Sequence, residues 1–268
     1  MSRHARQSIA GGVYHVTTHG NGGAMVFDQP YQKVRMLDLV AETAQSLDWD
    51  MYAWCIMGNH YHLLVRTPEN DLSQGMHQVN MKYGEWFNKA LGVKGHVFQD
   101  RFYSILLTED SHLLEASRYI VLNPVRAGLV GSPEEWPWSS YGPALTGVRS
   151  RVPLHDQALV AMFGEASEPA RAAYGEFVRA GIGLKKPPFL TAGRARTWGD
   201  AVNTAEGNAS PASERPRRMT PDPAEVARAL ELHRQGMSLR RIAEVMGLSH
   251  MTVCRYLALA ADAGEESL

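Results

Sequence analysis

Cysteine is scarce: Cys55 and Cys254 are the only two among 268 residues. One stands in a strand-like run and the other in a helix-like run, far apart, so no disulfide framework is expected and a reducing, cytoplasmic setting fits. An excess of one charge is lacking too, since 27 Lys+Arg meet 28 Asp+Glu for a net charge of −1. Global charge therefore gives no argument for nucleic acid, and any basic surface must be local. No apolar run reaches the roughly 18 residues of a membrane span, so no membrane partner is expected. The opening "MSRHARQSIAGG" has basic residues but no apolar stretch after them, so a secretory signal is not expected either. No internal repeat occurs. What remains is an ordinary globular composition, 44% hydrophobic, long enough for one large domain or two small ones.

The first 145 residues alternate strand and helix signals. "GVYHVTTHG" (12–20) is β-branched, aromatic and bounded by glycine, and reads as a strand. "QPYQKVRMLDLVAETAQSLD" (29–48) repeats its apolar residues at helical spacing. "WDMYAWCIM" and "HYHLLVR" flank Gly58-Asn59, a hairpin signal in which glycine can supply a positive φ. A helix is expected over 71–92, with Asp71 or Ser73 as cap and Gly92 as stop. A strand is expected over 95–108, then a helix over 109–123 that ends before Pro124. The order β-α-β-β-α-β-α predicts an α+β fold, a ferredoxin-like split βαβ arrangement with an antiparallel sheet and helices on one face.

Beyond this catalytic-domain candidate (1–145) the pattern weakens. "EEWPWSSYGPAL" reads as an ordered wrap on the first domain, and 146–190 as a short helical extension. Residues 191–221 are small, polar and proline-rich, which reads as a flexible linker. Three helical segments over 222–262 then follow, the last two separated by a turn at "GLS". Ile242, Val245, Leu248, Val253 and Leu257 supply the inward face of a small all-α helix-turn-helix domain, whose last helix would enter a DNA major groove.

The chemistry concentrates in "CIMGNHYHLLVRTP" (55–68). Side chains two apart on a strand share a face, so His60 and His62 point one way and Tyr61 the other. On their own they fit a buried, hydrogen-bonded pair as well as a grip on metal. In the helix "ASRYIVLN", Tyr119 and Asn123 lie four apart on one face. Asn123 offers an amide oxygen that a hard cation accepts, and Tyr119 a hydroxyl that can attack phosphorus.

"GNHYHLLV" resembles the HUH motif (histidine, hydrophobic, histidine), and "RYIVLNPVRAGLV" is similar to the tyrosine helix of single-tyrosine HUH transposases. With "GVYHVTTHGN", "GHVFQDRFYSILL" and "WPWSSY", residues 10–145 resemble the REP-associated tyrosine transposases, relatives of small insertion-sequence transposases. The resemblance implies His60, His62 and Asn123 as ligands of Mg²⁺ or Mn²⁺, and Tyr119 as nucleophile. It also implies single-stranded DNA near a short hairpin as substrate, cut and rejoined through a 5′-phosphotyrosine. One departure is His19, where many relatives carry arginine, and the helix-turn-helix is not part of the family's core module. Family members act as monomers or as homodimers, and both remain open.

Lys82, Arg101 and Arg126 are candidates for phosphate contact, against the default of a solvated charge. His15 and His19 read as structural or as lying near DNA. Trp136 and Trp138 could stack bases, but packing onto the sheet is the preferred reading. Ser249, His250, Thr252 and Arg255 are the outward candidates for duplex DNA in the last domain. The main rival function is a non-catalytic DNA-binding regulator that keeps the fold. A replication initiator or relaxase would often carry more than one tyrosine on this helix, and a water-using hydrolase would not need Tyr119.

Overall fold

The computed structural model describes residues 9–165, 167–190, 222–237, 239–248, 253, 256 and 257. Two compact units divide the chain, Met1–Lys185 and Lys186–Leu268.

In the first unit, β1 (Val13–His19), β2 (Asp50–Ile56), β3 (His60–Arg66) and β4 (Tyr103–Leu106) form one sheet in the order β2-β3-β1-β4. Every pairing is antiparallel. With α1 (Pro30–Ser46) after β1 and α2 (Leu72–Leu91) after β3, this is the expected split βαβ arrangement. One face carries Tyr14, Val16, Trp54, Ile56, Tyr61, Leu63 and Val65, which pack with Met36, Leu37 and Val40 of α1 and Met76, Val79 and Tyr83 of α2. Each such side chain stabilises the fold by about 1.5–3 kcal/mol on burial.

The expectation of helices on one face holds for α1 and α2. The next helix, α3 (Asp110–Val121), lies instead against the opposite face, its Tyr119 ring 5.9 Å from that of His62. The predicted stop before Pro124 also differs in detail. The helical path breaks at Leu122 and restarts as α4 (Asn123–Arg126), with the proline in its first turn. There the missing N–H removes no intrahelical bond.

The predicted strand over 95–108 is regular only from Tyr103. Phe98 still bridges Gly20, but Asp100 accepts the Arg101 N–H at 3.2 Å, a local bond that competes with the ladder. At the hairpin, Gly58 does not adopt positive φ. A Cβ there would meet only the end of the exposed Met25 side chain, which can move aside. Asp71 stands at the N-cap of α2, yet its carboxylate accepts the Trp49 indole N–H at 2.8 Å instead of capping. Gly92 closes α2 in the left-handed conformation, φ 64°, as expected of a stop.

The Trp-Pro-Trp-Ser-Ser segment does wrap the sheet. The Ile56 N–H donates to the Trp138 carbonyl at 2.8 Å, and Ser139 bridges Cys55 beyond the edge of β2. Trp138 packs on the core and the Trp136 indole N–H donates to the Ile56 carbonyl at 3.2 Å, so packing accounts for both. After α5 (Tyr141–Thr146) and α6 (Asp156–Val160), α7 (Glu168–Arg179) packs behind α3.

In the second unit, α8 (Pro223–Arg234) starts at Asp222, whose carboxylate accepts the Ala224 N–H at 2.9 Å. It meets α9 (Leu239–Met246). Ile242, Val253 and Leu257 are buried as expected, whereas Val245 is 43% exposed. Ala229, Ala243 and Tyr256 are buried with them, and the Tyr256 hydroxyl donates to Glu225 at 2.6 Å. Linker residues 191–221 and Ser249, His250, Thr252 and Arg255 lie outside the described residues.

Candidate active site

The register of β1 against β3 sets His19 opposite His60 and Thr17 opposite His62. Paired residues share a face, and so do residues two apart. His15, His19, His60 and His62 therefore stand together on the sheet face that α1 and α2 leave uncovered. The rings of His19 and His60 stack at 4.9 Å, those of His15 and His62 at 5.1 Å, and those of His60 and His62 meet edge-on at 4.9 Å. His15 and His62 are buried, while His60 is partly open.

Tyr119 completes this group. Ala116, Ser117, Ile120 and Val121 are buried in α3, and that packing turns the half-buried Tyr119 ring edge-on to His62 at 5.9 Å and to His15 at 6.0 Å. Asn123 begins α4, nine-tenths buried, and its amide donates to the carbonyls of Tyr119 at 2.8 Å and Ile120 at 3.4 Å. These bonds tie Asn123 to α3 and leave its Oδ1 as the atom that a cation would take.

The metal implied by the resemblance can be tested against the ring nitrogens. His60 Nδ1 lies 2.7 Å from Asn59 Oδ1 and His62 Nδ1 lies 2.9 Å from His15 Nε2. Both Nδ1 atoms are thus engaged, and Nε2 is the nitrogen each imidazole would present. Among the described residues no three His, Cys, Asp or Glu side chains gather to hold a metal. A site here needs a mixed donor set: the Asn123 amide oxygen is the kind of donor that Mg²⁺ and Mn²⁺ favour, and two imidazoles fit a first-row ion such as Mn²⁺ better than Mg²⁺.

Among the described basic candidates, Lys82, Arg101 and Arg126, it is Arg126 that joins the group. Its guanidinium lies 5.3 Å from the Tyr119 ring centre and donates to the Leu184 carbonyl at 2.6 Å. Burial lowers its pKa, opposed by its attraction to Tyr119, but a guanidinium stays charged regardless. Lys82 is exposed on α2, the helix across the sheet from the histidines. Arg101 is exposed just before β4, whose Tyr103 pairs with Thr17 on the histidine face. Reading the sequence alone did not place His15, His19 and Asn59 beside His60 and His62. The signal for the first two was parity: positions 15 and 19 are an even number apart on a strand, and so share one face. Cys55 is buried on β2, and burial pushes its thiol pKa well up, which makes it inert.

A tyrosine on α3 is thus held against paired imidazoles on a split βαβ sheet, on the face away from α1 and α2. Residues 9–123 match the family described as "Transposase IS200 like", and residues 220–268 match one described as "Homeodomain-like domain". Residues 9–123 are therefore similar to one class of protein, the IS200-like transposases, and residues 220–268 to homeodomain-like domains. Within that class, the chain is 25% identical over 144 residues to a REP-associated tyrosine transposase of Escherichia coli, spanning 53% of this chain and 83% of that one. A Haemophilus influenzae protein described provisionally by the same name is 28% identical over 159 residues, 53% of this chain and 86% of that one. A solved REP-associated tyrosine transposase bound to a REP hairpin is 23% identical, with a TM-score of 0.48, over 57% of this chain and 90% of that chain. Among the described residues no helix is long and apolar enough to cross a membrane.

Proposed function

We propose that this protein cuts and rejoins single-stranded DNA beside a short hairpin, with Tyr119 as nucleophile. The observation that carries the reading is the placement of the Tyr119 ring against His62 and His15, on the face that His60 shares. The hairpin substrate follows from the resemblance in the five sequence segments, and the names of the Escherichia coli and Haemophilus influenzae relatives support a tyrosine transposase.

In this mechanism the Tyr119 oxygen attacks a backbone phosphorus and forms a P–O bond, and the bond from phosphorus to the 3′ oxygen breaks. The phenolic proton is lost and the departing 3′ oxygen gains one, leaving a 3′-hydroxyl and a 5′-phosphotyrosine. Attack by another 3′-hydroxyl on the phosphotyrosine reverses the step, so the strand is joined without hydrolysis. His60 and His62, through Nε2, and Asn123, through Oδ1, would hold Mg²⁺ or Mn²⁺. When bound, that ion supplies charge neutralisation at the phosphate oxygen. Arg126 sets a fixed positive charge beside Tyr119, where negative charge passes between oxygens. The fold of α3 positions the phenol. The C-terminal helix-turn-helix would add a contact to duplex DNA.

The test is incubation with Mn²⁺ and labelled hairpin-bearing single-stranded DNA, read on a denaturing gel. A covalent protein–DNA species is expected from the native chain and none from Tyr119→Phe. Cleavage that survives Tyr119→Phe would instead identify water as nucleophile. Tight binding with no cleavage would favour the non-catalytic regulator.

A further inference from the structure

His15 has no role in the proposed chemistry, yet it is in direct polar contact with His62, one of the residues that has. It is 2% exposed, its Nε2 lies 2.9 Å from His62 Nδ1, and the two rings are nearly parallel, 21° apart. We propose that His15 is a positioning residue: its Nε2 accepts the Nδ1–H of His62 and so fixes the tautomer and ring angle with which His62 meets a divalent metal. This rests on the metal reading given under the proposed function.

The direction of the bond follows from elementary bookkeeping of protons. Between two neutral imidazoles, one nitrogen must donate and the other accept. If His15 donated, His62 would accept at Nδ1 and carry its hydrogen on Nε2, where it has no lone pair for a metal. If His62 ligates through Nε2, its hydrogen sits on Nδ1, His15 Nε2 must accept, and the His15 hydrogen is on Nδ1. Ligation through His62 Nδ1 is blocked, because His15 already occupies that side. At His60 the partner leaves no such choice: Asn59 Oδ1 only accepts, so His60 donates from Nδ1 and turns Nε2 outward. His15 and Asn59 thus do the same work for the two imidazoles, one from the neighbouring strand and one from the hairpin turn.

Such partners hold a ligating histidine in its orientation and raise its basicity, and their loss typically weakens metal binding by roughly 10- to 100-fold. His15→Phe keeps an aromatic ring against His62 and Tyr119 but removes the acceptor. His15→Gln restores an acceptor near the position of Nε2. The first readout is Mn²⁺ binding to the full-length protein without DNA, followed by the electron paramagnetic resonance signal of the unbound ion. His15→Phe is expected to bind Mn²⁺ roughly 10- to 100-fold more weakly than the native protein, with most of that loss recovered in His15→Gln. Native Mn²⁺ binding left unchanged by His15→Phe would overturn the role of His15 while the metal reading stood. A native protein that binds no Mn²⁺ would overturn the metal reading, and this inference with it.

The second readout needs no variant to fold. In native, metal-free protein labelled with ¹⁵N-histidine, the imidazole resonances should show His62 protonated at Nδ1 and bare at Nε2, which is the minor tautomer of free histidine. His62 found protonated at Nε2, with His15 as donor, would overturn the inference directly.

Discussion

Arg126 shows what a single residue can do twice. Its guanidinium lies over Tyr119, and one of its nitrogens holds the Leu184 carbonyl at 2.6 Å. Arg126→Ala is expected to slow formation of the covalent DNA adduct by about 10- to 100-fold, the scale of removing one preorganised charge from developing negative charge. Arg126→Lys should recover part of that, since the charge returns without the fork. Adduct formation followed by quenched flow, beside a melting curve for each variant, separates loss of charge from loss of fold. At this scale, strand parity and family motifs single out Tyr119, His60 and His62 as candidates, and the fold brings their rings together. His15 was harder to place, because its role depends on which residue of β3 lies across from it, and strand register is set by long-range pairing rather than by local pattern.

Helix α3 is the element that aims Tyr119, and α7 holds it from behind. The Ser117 and Tyr174 hydroxyls meet at 2.9 Å with both residues buried, and the Arg118 guanidinium lies 4.4 Å from the Phe177 ring centre. Gly181 lets this packing close up, since a Cβ there would meet Arg118 Cδ at 2.5 Å and Leu122 Cδ1 at 2.9 Å. Tyr174→Phe strands the Ser117 hydroxyl in the interior and is expected to cost about 1–3 kcal/mol in chemical denaturation. The double variant with Ser117→Ala should cost less than the sum of the two single changes, because it removes the stranded group as well. Lengths and types of α1, α2 and β1–β3 were legible from periodicity. The side of the sheet on which α3 packs was not, nor was the restart of the helix at Asn123. Both follow from tertiary contacts that a local pattern does not contain.

For the whole molecule, one stretch similar to IS200-like transposases and another similar to homeodomain-like domains lie on one chain, and the proposed function gives each a DNA contact. Tethering raises the effective concentration of the second contact once the first has formed. Removal of residues 192–268 is therefore expected to weaken binding to DNA that carries both a hairpin and flanking duplex by roughly 100-fold or more, measured at one fixed salt concentration because phosphate contacts make affinity strongly salt-dependent. Unchanged affinity would exclude the tether. The catalytic claim has a more direct test. After reaction with Mn²⁺ and hairpin-bearing single-stranded DNA, the adduct can be digested with nuclease and trypsin and the linked peptide sequenced by mass spectrometry. Cleavage after Arg118 and Arg126 releases Tyr119–Arg126, "YIVLNPVR", and the expected result is a 5′-phosphonucleotide on its tyrosine. A nucleotide on any of the other tyrosines, or on none, would contradict the assignment of Tyr119 as the nucleophile.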